Sequence, residues 1–128
     1  MNLINNLISI LIVLIMFVTY EISHVNAIGD VDWILLKDNK DGKEWLDIGS
    51  IRKINNNEIS TLTKFYKKPI KDTDEGQTTL YVMRINCLTK QFKDTSINGF
   101  PKLNSKWQEP NNDELIEVVI EKACSERG

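Results

Sequence analysis

Residues Leu80 to Leu88, LYVMRINCL, alternate so that Tyr81, Met83, Ile85 and Cys87 fall on one side, the period-two pattern of a half-buried strand. From Asp113 to Cys124, DELIEVVIEKAC, the period changes. Leu115, Ile116, Val119, Ile120 and Ala123 recur at helical spacing, and Cys124 falls at the edge of that stripe. Each cysteine points the way the apolar face of its element points. A bridge between them would pin a C-terminal helix onto a sheet.

The rest of the chain reads as strands cut by polar turns. Asp32 to Lys37 is apolar without clean alternation, which predicts a strand covered on both faces. Asp38 to Gly42, DNKDG, has hairpin-turn chemistry. Lys43 to Asp47 returns as a strand running into Ile48 to Ile51, and Asn55 to Asn57 is a further turn. Glu58 to Lys68 is rich in Thr, Ile, Phe and Tyr and reads as a long strand. Pro69 to Gly76 reads as an exposed loop. Thr78 to Leu88 is the central strand, reversed at Thr89-Lys90, with Gln91 to Ser96 as its partner. Asn98-Gly99 marks another turn, Phe100 to Ser105 is ambiguous because Pro101 disfavours a ladder, and a last short strand is expected around Trp107. Asn112 is the expected cap of the final helix. The result is an α+β domain, about six antiparallel strands followed by one helix.

Leu7 to Tyr20 is an apolar run with only Ser9 and Thr19 interrupting it, and Val25-Asn26-Ala27 offers small residues for cleavage. This predicts a signal peptide over 1–27, cut between Ala27 and Ile28, with a retained anchor as the rival reading. The remainder, 28–128, is about 100 residues and suits one domain. The whole chain carries a net charge of −2, which gives no field for nucleic acid or acidic lipid. An even pair of cysteines in an exported domain reads as a disulfide, Cys87 to Cys124.

The one histidine, His24, falls in the expected signal, so histidine-based catalysis is excluded in the mature domain. No zinc quartet is visible, and the DNKDG turn fails the register of a calcium loop, because Lys37 and Ile48 stand where ligands are needed. Glu44 and Asp47 are a carboxylate pair with nothing to place them together. The domain is therefore expected to be non-catalytic and to need no cofactor. Thr63 to Lys71 combines Lys64, Lys67, Lys68 and Lys71 with Phe65 and Tyr66. It is a candidate basic contact surface for an acidic partner, or else an edge strand that lysines keep from aggregating. Trp33, Trp45 and Trp107 read as core or rim packing.

Several landmarks stand in a fixed order: Trp33, then Asp47 and Ser50-Ile51, then Cys87 with Lys90 and Lys93 beyond it. Asn98-Gly99-Phe100, Trp107, Pro110 and Cys124 complete the series. In these, from about Val31 to Cys124, the chain resembles the bacterial surface-adhesin protein E family. The resemblance implies a six-stranded antiparallel sheet with a C-terminal helix on its concave side, tethered by a disulfide. It implies an extracytoplasmic protein, adhesin-like, whose named member is an outer-membrane lipoprotein binding host vitronectin and laminin. No cysteine stands near the expected cleavage site here, so no lipid anchor is expected. The expected partner is a host matrix protein; the alternative is an envelope protein contacted by a soluble periplasmic accessory domain with no host ligand.

Overall fold

Asparagine-rich turns divide the chain into strands, each of which pairs with its immediate successor. The computed structural model describes residues 2–20, 30–71 and 74–127, with side chains of the first helix described for 3–12. That helix, α1, is Asn2–Tyr20. The strands are β1 (Trp33–Asp38), β2 (Gly42–Lys53), β3 (Glu58–Lys67), β4 (Gln77–Asn86), β5 (Gln91–Ile97) and β6 (Phe100–Pro101), followed by the helix α2, Glu114–Ser125. The six strands form one antiparallel sheet in chain order.

Each turn carries its own chemistry. Asn39 Oδ1 accepts the Asp41 and Gly42 amides at 2.9 and 3.1 Å, and Asn55 Oδ1 accepts those of Asn57 and Glu58 at 2.9 and 3.0 Å. Asn98 and Gly99 take φ of 48° and 83°, the left-handed pair that a two-residue hairpin needs.

Alternation sorts the sheet into two faces. Leu46, Ile59, Met83, Ile85, Cys87 and Phe92 turn inward and form the core with Val119, Ile120 and Ala123 of α2. The helix lies on β1, β2 and β3, and the disulfide Cys87–Cys124, with its Cα atoms 5.7 Å apart, ties it to the end of β4. The expected α+β architecture and its tether are thus present.

Four details differ from expectation. β1 is an edge strand rather than doubly covered, and Leu35 is exposed on it. β4 ends at Asn86, so Cys87 opens the turn instead of continuing the strand, and its N–H donates to Asn57 O at 2.7 Å. The sixth strand is Phe100–Pro101, while the segment around Trp107 supplies only a bridge from Gln108 to Phe92. Asn111 and Asn112 have φ of 51° and 66°, so they make the reversal. Asp113, at φ −77°, is the cap instead, accepting the Leu115 and Ile116 amides at 3.0 and 3.4 Å.

The landmark pair Asp47 and Ser50 is a β-bulge. The β2–β3 register passes from Asp47↔Leu62 to Arg52↔Ser60, so four residues of β2 oppose one of β3. Ser50 Oγ fills the gap, accepting the Leu62 N–H at 2.7 Å and donating to Asp47 O at 2.7 Å. Asp47 Oδ1 accepts the amides of Asp32 and Gly49 at 2.9 and 3.1 Å, which fastens the lead into β1 against the bulge.

Residues Leu3, Ile4, Leu7, Ile8, Ile10, Leu11 and Ile12 of α1 are exposed. Among the described residues no helix is long and apolar enough to cross a membrane. The expected cleavage residues Ala27 and Ile28 lie outside the described residues.

Candidate functional site

Each face of the sheet carries one concentration of chemistry. On the inner face, where the start of α2 stands off from the strands, a cavity of about 280 Å³ opens. Its walls are Phe65, Tyr81, Met83, Phe92, Leu115 and Ile116, and its polar groups are Glu44, Asp94, Gln108 and Asp113. Among the described residues no lysine, arginine or histidine lines it. Glu44 is only 2% exposed because strand alternation sets it in line with Leu46, and its Oε1 has no hydrogen-bond partner. Burial pushes the Glu44 carboxyl up to about 8. The Thr63 hydroxyl opposes that rise and the charge of Asp113 adds to it, although Thr63 Oγ1 is itself without a partner in hydrogen-bond geometry. Asp94 shares the condition on one side only: Oδ2 meets Lys102 at 3.4 Å, whereas the buried Oδ1 meets nothing.

Glu44 and Asp47 do not act together. They point to opposite faces of β2, and both Asp47 backbone partners are amides that hold a bulge. No nucleophile with a base beside it accompanies Glu44 in the cavity lining. What remains is an acceptor-rich recess with mixed polar and apolar walls.

On the outer face, the register lines up Leu35, Trp45, Lys64 and Leu80 across four strands. Lys64 Nζ lies 4.6 Å from the ring centroids of both Trp33 and Trp45. The indole faces hold the ammonium electrostatically, worth about 0.5–1 kcal/mol for each ring at an exposed site. Leu35 and Leu80 are exposed at either end of the row. A second such contact, Lys93 at 4.6 Å over Trp107, packs the Trp107 segment onto the sheet.

The expected basic surface is thereby distributed. Lys64 and Tyr66 share the outer face, whereas Phe65 turns inward to the cavity. Lys68 is bound by Asp38 Oδ1 and Asn39 O, both at 2.5 Å, at the β1–β2 turn. That hydrogen bond, together with Lys43, lowers the pKa of Asp38. Lys67 and Lys71 are exposed. The aromatic partners of Lys64, Trp33 and Trp45, are distant in sequence. Only the cross-strand register brings them there.

No curated protein and no solved structure matches the chain. A model of the surface adhesin-E family matches residues 34–128, a span that runs from β1 through α2 and contains both cysteines, the bulge and the Lys64 row. The chain belongs to the surface adhesin-E family.

Proposed function

We propose that this chain is an exported, non-catalytic, adhesin-like binding protein whose contact surface is the outer face of the sheet around Lys64. The carrying observation is the Trp33–Lys64–Trp45 stack between exposed Leu35 and Leu80. Protein-binding surfaces favour aromatic anchors, and a cation fixed by two rings is preorganised for an acidic partner. Family membership supports adhesion as the class of function. The apolar run Leu7 to Tyr20 supports export, with removal of 1–27 before the domain 28–128 folds. The partner in this reading is an acidic stretch of a host extracellular-matrix protein, drawn to the Lys64 ammonium.

The test is binding of the oxidised domain to immobilised vitronectin and laminin at physiological salt. Saturable binding that falls at least tenfold in Lys64→Glu is expected. Absence of saturable binding, or unchanged binding in that variant, would remove the reading. Cell fractionation tests the address: protein confined to the periplasm and shielded from added protease favours an envelope partner instead.

A further inference from the structure

We propose that the cavity beneath the start of α2 is a binding site for a primary ammonium group carried on an apolar stem, with Glu44 as its counter-ion. Three observations converge. Among the described residues the lining offers acceptors and carboxylates but no cation, and of its acids only Asp94 has an ion pair, to Lys102, so an anionic ligand would be disfavoured. Glu44 is almost wholly buried and leaves Oε1 unpartnered, and the neighbouring Thr63 Oγ1 is unpartnered too. Buried polar atoms are nearly always satisfied, so Glu44 Oε1 is open to a partner from outside the chain. Finally, six of the ten lining residues are apolar or aromatic, which suits a hydrocarbon body beside a charged head.

The alternatives fit less well. A metal ion needs several converging ligands, and among the described residues no three of His, Cys, Asp and Glu come together that way. Water alone would leave apolar walls wetted, because a water occupies about 30 Å³ of liquid and the cavity is about 280 Å³. That volume lies at the small end of ligand pockets, matching a ring or short chain. The ammonium contributes three donors, one of them for Glu44 Oε1 and the others for the remaining acceptors of the lining.

Binding carries a proton signature. In the empty cavity Glu44 is mostly protonated at neutral pH. An entering ammonium keeps its own protons and stabilises the carboxylate, so Glu44 ionises and releases one proton to solvent. The stem can belong to a free amine or to a lysine side chain of a partner protein. The site is on the opposite face from Lys64, so it stands or falls independently of matrix adhesion.

Calorimetric titration of the full disulfide-bonded chain at pH 7 tests this with three probes: phenethylamine, its neutral analogue phenethyl alcohol, and Nα-acetyl-lysine amide. Binding of at least one amine is expected, tighter than the alcohol by tenfold or more. Its heat should change with the ionisation enthalpy of the buffer, as proton release requires. Glu44→Gln should lose that tenfold preference while alcohol binding is retained. Binding of the first amine alone identifies free amines as the source; binding of the lysine derivative identifies side chains. Failure of both amines, equal affinity for amine and alcohol, or a buffer-independent heat in the unmodified chain would overturn the proposal, whatever the fate of the variant.

Discussion

Glu44 is the residue at which local pattern and environment conflict. Gly42, Glu44 and Leu46 share a side of β2, so alternation alone sends a carboxyl under the helix. Around it stand Thr63 from β3, Tyr81 from β4, Asp94 from β5 and Asp113 from the cap of α2, with no cation among the lining groups of the described residues. Its ionisation is raised from 4.5 to about 8. At about 1.4 kcal/mol per unit this links a few kcal/mol of stability to pH. The sign follows from proton counts. Between 4.5 and 8 the unfolded chain has lost the proton that the folded chain keeps, so this group's contribution falls as pH rises through the window. Below 4.5 both states hold the proton and the penalty vanishes. Glu44→Gln should therefore melt near the parent temperature at pH 4 and several degrees above it at pH 8. Parallel melting curves across that range would contradict the assignment. The carboxylates were visible in sequence, and the pairing of Glu44 with Leu46 was the available sign of burial. Asp94 joins it through the β4–β5 register, Gln108 through its bridge to Phe92 and Asp113 through the return of α2, none of which a local pattern announces.

At the scale of elements, the bulge in β2 shows how one hydroxyl holds a broken ladder. Leu62 would donate to a backbone carbonyl in a regular pair, and here Ser50 Oγ stands in for it. Ser50→Ala leaves that N–H without a partner, which costs about 1–3 kcal/mol. Urea unfolding should show the midpoint lowered and the slope unchanged; an unaltered midpoint would mean that water replaces the hydroxyl. The hairpins were legible because their turns are local: Asn39, Asn55 and Asn98 hydrogen-bond or bend within a few residues of themselves. The last strand was misplaced for a physical reason. A two-residue turn at Asn98-Gly99 forces Phe100 directly opposite Ile97, and the pairing runs on only through Pro101 and the Lys102 N–H, which donates to Thr95 O at 2.9 Å. Residues around Trp107 then reach the sheet through Gln108 and through Trp107 under Lys93.

For the whole molecule, the disulfide is the one covalent link between the sheet's far end and the helix that crosses its first strands. Closing a loop of about 38 residues contributes about 4 kcal/mol in the chain-entropy model. Replacing both cysteines with serine should release α2 first. Hydrogen exchange of the amides of 115–124 should quicken by at least two orders of magnitude more than that of β3, whereas uniform acceleration would show that helix and sheet open as one unit. The tether was foreseeable because two cysteines in a small domain have one possible intramolecular pairing. The Lys64 stack was not, since Trp33 and Trp45 reach it through registers interrupted at Leu35/Lys37 and Asp47/Arg52.

That same pair of cysteines has a consequence for assembly. The meander can zip each strand onto the one before it, but Cys87 meets Cys124 only when the last residues of the chain have folded back over β1, β2 and β3. The thiol on the β4–β5 turn must wait for its mate. While it waits, no other cysteine of the chain can capture it. Maturation thus demands an electron acceptor but no reshuffling, and a molecule that oxidises within itself can lock only one arrangement.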